Sequence, residues 1–211
     1  MKTNILFAIA ISTGLLVTAC DPSPNRENTK EVAEEQNEDR IDATTGNDAT
    51  TANNTTGNNT TGNKDDKEND AEFMVEAASG GMMEVELANL ALQKGTSTQV
   101  KEFARMMIKD HKKANEELKA LAASKNIVLP TALIDKHQRV VNDLKDKSVK
   151  TFDAKYMNAM LDDHKKDVKE FEEASKDAAD PDIRAFAAKT LPVLQEHLRM
   201  ADKYEDLTDK M

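Results

Sequence analysis

From residue 71 onward, apolar side chains recur at spacings of three and four through five successive segments, separated by Gly95, "NIVLP", Thr151 and Asp180-Pro181. That period lines one face of an α-helix, and five such faces can leave water only by packing against one another. The chain has no Trp, two Tyr and six Phe, so it is poor in residues that strands favour, while its many Ala, Lys, Glu and Leu lose little rotamer freedom in a helix. The expectation is an all-α fold: an antiparallel bundle of four long helices plus one shorter helix, filling residues 71–211, enough chain for one core.

The first predicted helix runs from about 71 to 94 and stops at Gly95; the second, capped by Ser97, runs to about 125. A shorter helix follows Pro130, from about 132 to 147. Thr151 is the expected cap of a fourth helix to about 176, and Asp180-Pro181 opens the fifth, to about 207. Pro192 lacks the N–H that a helix interior uses, so a kink that fits the last helix to its neighbours is expected there. All four histidines, His111, His137, His164 and His197, fall on the apolar stripes.

The opening "MKTNILFAIAISTGLLVTAC" has the build of a secretory signal, with Lys2, an apolar run and then small residues. Its end, "LVTAC", resembles the lipobox of bacterial lipoproteins, which implies a signal peptide over 1–19, lipidation of Cys20 and an exported protein facing the periplasm or cell surface. An ordinary cleaved signal is the weaker alternative, because the only cysteine of the chain stands where a lipobox requires it. A lone cysteine also excludes an internal disulfide. Asp21 resembles an inner-membrane retention signal of enteric bacteria, a rule that does not hold across phyla, so the choice of membrane stays open. Residues 20–70, with drifting Thr-Thr-Gly-Asn units and few large apolar side chains, read as a disordered tether reaching about 40 Å.

A net charge of −10 opposes nucleic-acid binding, and Gly80-Gly81 lacks the context of a phosphate loop. No Ser or Cys nucleophile accompanies the histidines, so hydrolysis and enzyme activity in general are not expected. What stands out is a repeat: Met107-x-x-Asp110-His111-Lys112-Lys113 returns as Met160-x-x-Asp163-His164-Lys165-Lys166. Helical geometry turns His111, His164 and His197 toward a shared interior, and Glu84, about 60° from the Leu87 stripe centre, can reach it too. These four are the candidate ligands of a transition metal. Met107, Met160 and Met200, one turn from the histidines, are candidate soft ligands. Asp110, Asp163 and Glu196 are candidate carboxylate partners that orient an imidazole on another helix. The bland alternative is a core in which methionines fill gaps and each histidine is simply hydrogen-bonded.

The segments "FMVEAASGGMMEVELANLALQKG", "VKEFARMMIKDHKKANEELKALA", "FDAKYMNAMLDDHKKDVKEFEEAS" and "FAAKTLPVLQEHL" resemble a large family of bacterial predicted outer-membrane or periplasmic proteins, catalogued as domain of unknown function 4142. The resemblance implies a ferritin-like bundle in the cell envelope without a general activity. A standard di-iron centre is disfavoured, since Ile108, Leu161 and Leu194 stand where Glu-x-x-His needs its glutamate. The leading expectation is therefore a lipid-anchored envelope bundle acting by binding or as a structural or stress-related component, with binding of Cu, Fe or Mn as the alternative. Charged outer faces such as "EFEEASKD" offer a surface to another envelope protein. Oligomeric state and physiological role are not legible.

Overall fold

The computed structural model describes residues 29–45 and 63–208, and places there six helices and no strand. They are α1 (Thr29–Thr45), α2 (Lys64–Lys94), α3 (Thr98–Lys125), α4 (Asp135–Lys145), α5 (Val149–Asp177) and α6 (Pro181–Thr208). The signal segment, Cys20 and the Thr/Asn repeats of 46–62 lie outside the described residues.

The register follows from side chains that meet. Glu84 of α2 faces His111 of α3, and Gly81 faces Asn115, so the two helices run in opposite directions. His164 meets His197 and Phe171 meets Phe186, which makes α5 and α6 antiparallel as well. Phe73 against Phe171 with Lys94 over Phe152, and Phe103 against Tyr204 with Lys125 on Asp182, give the same sense for α2 with α5 and α3 with α6. All four neighbouring pairs are thus antiparallel. It follows that α3 and α5 run the same way on opposite corners, and the connection between them must travel back along the bundle. The short α4 lies on that return, alongside α2, where His137 reaches Ser79 and Lys145 reaches Glu86.

Local chemistry sets the ends. Asn63 and Asp66 form a reciprocal capping box at the start of α2. Ser97 accepts from Val100 N at the start of α3, and Asn126 closes that helix in the left-handed conformation with φ 57°. Asp180 Oδ1 accepts from the backbone N–H groups of Asp182 and Ile183. Helix α5 starts at Val149, ahead of the expected Thr151 cap, and α6 continues through Pro192. Two carboxylates then tie the hairpins across the bundle. Asp153 of α5 accepts from Thr96 N, Ser97 N and Thr96 Oγ1 in the α2–α3 turn. Asp70 of α2 accepts from Ala179 N and Asp180 N in the α5–α6 turn.

The expected tether through residue 70 needs correction at two places. Helix α2 begins at Lys64, and residues 29–45 form α1, packed on the bundle. Docking of α1 is mostly polar: Asn37 exchanges two hydrogen bonds with Val128, Arg40 donates to Asn126, and Lys30 pairs with Glu76. Ala33 is its one fully buried apolar residue among those described. Such a segment satisfies its polar groups without the apolar stripe that betrays a helix in sequence.

The interior has two apolar clusters. One holds Met83, Leu87, Phe103, Met107, Tyr156 and Met160; the other holds Met74, Leu118, Phe171, Phe186 and Leu194. Between them, at the same level on all four long helices, sit Glu84, His111, His164 and His197.

Candidate metal centre

Each imidazole has one nitrogen committed to a partner. His164 Nδ1 lies 2.9 Å from the carbonyl of Met160 one turn earlier, which only accepts, so the ring proton sits on Nδ1 and Nε2 carries a lone pair. His197 Nε2 lies 3.2 Å from Asp110 Oδ2, which puts its proton on Nε2 and a lone pair on Nδ1. His111 Nδ1 lies 2.6 Å from Glu84 Oε2. The remaining nitrogens converge: His111 Nε2 is 3.2 Å and His164 Nε2 is 3.4 Å from His197 Nδ1.

The three rings are 5 %, 0 % and 1 % exposed for His111, His164 and His197, and that burial decides their charge. Loss of hydration lowers His111 to about 4. His197 falls to about 4 for the same reason, reinforced by His111 beside it. His164 is pushed down as well, by burial and then by the other two rings. All three are therefore neutral at pH 7, in the state that binds metal. Glu84 moves the other way: burial, and then the charge of Asp163, hold its carboxyl well above the usual range.

Metal-free, these directions give a chain of hydrogen bonds. A protonated Glu84 donates to His111 Nδ1, His111 Nε2–H donates to His197 Nδ1, and His197 Nε2–H donates to Asp110. His164 Nε2 has no donor in this chain. Its neighbours are His197 Nδ1, already accepting, and Glu84 Oε1 at 3.3 Å, itself buried without a hydrogen-bond partner. A fully buried lone pair facing acceptors is costly, and a cation meets the need. Two nitrogens that share an ion at about 2.0–2.1 Å, at near-tetrahedral angles, stand about 3.3–3.4 Å apart. The observed 3.2 and 3.4 Å fit that spacing. A cavity of ≈ 30 Å³ lined by His111, His197, Glu84, Asp110 and Asp167 lies alongside.

The structure thus brings His111, His164, His197 and Glu84 together, with Glu84 touching His111 through its second nitrogen. Asp110 orients His197 from another helix. Glu196 does not join: it is exposed and paired with Arg199. Met107 and Met160 are packed in the first apolar cluster with Met200 at its margin, and the Met160 atom that reaches His164 is its carbonyl oxygen. His137 stands apart, bonded to Ser79. Asp163 turns to neither ring; its Oδ2 is buried without a partner, and burial raises its carboxyl to about 6. Asp167 was not anticipated, although it lies three residues after His164 on the same helical face. Glu84, Asp163 and Asp167 each bring an oxygen within 4.8 Å of the other two.

The family model described as Domain of unknown function (DUF4142) matches residues 55–204. No curated protein matches the chain in sequence. Among solved structures, one described as CopM in the Cu(II)-bound form is similar, with a TM-score of 0.55 and 17 % identity, over 65 % of this chain and 95 % of that one. At that identity the likeness speaks to the fold.

Proposed function

The chain belongs to the DUF4142 family, and from that premise and the buried centre we propose that it binds a transition-metal ion, copper first, through His111, His164 and His197. One observation carries the reading: three buried imidazoles bring one nitrogen each to a common point, and with the Met160 carbonyl and Asp110 holding two ring protons outward, at least one lone pair there has no donor. Imidazole suits copper, zinc, iron and nickel, and copper stands highest in intrinsic affinity among the divalent ions. That a solved bundle of similar fold is described as Cu(II)-bound supports the same choice. The single return connection between α3 and α5 is the topology of ferritin-like bundles, but the donors here are a histidine triad in place of paired Glu-x-x-His motifs. An envelope bundle of unassigned role thereby gives way to its metal-binding alternative. With Cys20 as lipid anchor, the bundle would hold its ion at a membrane surface.

In this arrangement Asp110 and the Met160 carbonyl set two ring tautomers, while Glu84 accepts the Nδ1 proton of His111 as the metal arrives. Orienting partners of this kind govern affinity by about 10–100-fold. The test is a chelator competition with copper on the metal-free full chain. His164→Ala should weaken binding by more than about 100-fold and Asp110→Asn by about 10–100-fold, with both variants helical by circular dichroism. Equal affinity in wild type and folded His164→Ala would overturn the proposal.

A further inference from the structure

Glu84, Asp163 and Asp167 form a second constellation beside the histidines. Their carboxylates approach within 4.8 Å of one another, with Glu84 1 % exposed and the two aspartates partly buried. Helix α5 supplies both aspartates at i and i+4, so they share a face, and α2 supplies Glu84 opposite. No lysine or arginine is paired with any of the three among the described residues. Two of the oxygens, Glu84 Oε1 and Asp163 Oδ2, are buried without a hydrogen-bond partner. Three carboxylates this close, largely shielded from water and with no ion pair to a lysine or arginine, are strongly unfavourable if all are ionised. Either protons or a cation must be shared among them.

We infer that Glu84, Asp163 and Asp167 form a second metal site, for a hard divalent cation, next to the histidine triad and joined to it through Glu84. The donor set decides the class. All three offer carboxylate oxygen, which suits Mg²⁺, Ca²⁺ or Mn²⁺, whereas the triad offers only imidazole nitrogen. Orphaned oxygens are the independent sign that the cluster can receive a ligand: Glu84, 1 % exposed, and Asp163 each bring to it a buried oxygen with no hydrogen-bond partner. Glu84 serves both centres, because one oxygen meets His111 Nδ1 while the carboxylate also belongs to the acidic group. Filling one site therefore changes the charge that the other sees.

The oxygen site does not require the copper reading, and the experiment separates them. Mn²⁺ is titrated into the metal-free full chain, and the loss of the free-ion signal is followed by electron paramagnetic resonance. One Mn²⁺ should bind per chain. Asp167→Asn should weaken it by about tenfold or more and copper by clearly less; His197→Ala should do the reverse. Asp163→Asn is the second variant should Asp167→Asn fail to fold. Absence of Mn²⁺ binding by the folded wild type overturns the inference, as does an unchanged titration in the folded Asp variants. So does Mn²⁺ binding lost in His197→Ala and kept in Asp167→Asn, which would place the ion at the triad. Mn²⁺ bound as expected without any copper binding would sink the copper reading and leave this one standing.

Discussion

Asp110 and Asp163 hold the same place in the two copies of the repeated motif, and the structure gives them different work. Asp110 crosses to His197 on α6, whereas Asp163 stays with Glu84 and Asp167. Both histidines of the repeat do point to one place, as helical geometry requires. Which way an adjacent acid turns depends on the neighbouring helix, and that was not legible from spacing. Glu196 shows the same limit: it follows the acid-then-histidine pattern, yet it pairs with Arg199 three residues on. Glu84 carries the sharpest residue-scale prediction. Its carboxyl is raised by burial and by Asp163 beside it, which favours the protonated form in the metal-free protein, so metal binding should expel that proton when His111 Nδ1 becomes the donor. Calorimetry in buffers of different ionisation enthalpy should show about one proton released per copper, and none in Glu84→Gln. A second prediction concerns acid. An exposed histidine near 6.5 is mostly protonated at pH 5, but His111 and His197 resist protonation down to about 4. The sign is that of a depressed base: below neutral pH the single proton returning to Glu84 weakens copper gradually, and the rings themselves compete only as pH falls toward 4. Copper should stay bound at pH 5 in dialysis and leave on approach to pH 4.

Among the elements, α3 was the most legible, because Ser97 caps it, an unbroken apolar stripe fills it, and "NIVLP" ends it. The first turns of α2 and all of α1 were not, since they sit in polar sequence beside the Thr/Asn repeats. The Asn63/Asp66 capping box that opens α2 has no apolar residue close behind it, so this start did not stand out from the polar sequence. In α1 the anchoring is through Asn37, whose amide both accepts from and donates to the Val128 backbone. Asn37→Ala should release α1 alone: amides of 29–45 lose hydrogen-exchange protection while those of α2 to α6 keep theirs. Asp153 is a stronger tie, because removing it strands the N–H groups of Thr96 and Ser97. Asp153→Ala should cost about 2–3 kcal/mol in urea unfolding, with metal affinity in the folded protein unchanged.

At the scale of the molecule, the bundle is two apolar clusters separated by a layer of polar groups at mid-height, and the layer is where function would reside. Placing imidazoles in that layer forfeits apolar packing at that level, and a bound ion returns stability by mass action, about 2.7 kcal/mol at a free concentration 100 times the dissociation constant. The docking of α1 also bears on the proposed anchor. Eight residues stand between Cys20 and Thr29, and covalent geometry limits the span to a reach of about 30 Å, well short of a fifty-residue leash. The domain would therefore sit close to its membrane, with residues 46–62 as an internal connection. The most direct measurement is X-ray absorption on the full chain loaded with one equivalent of copper. Three imidazole nitrogens at about 2.0 Å, falling to two in His164→Ala, are the predicted result. A copper shell without imidazole, or one identical in wild type and His164→Ala, would contradict it.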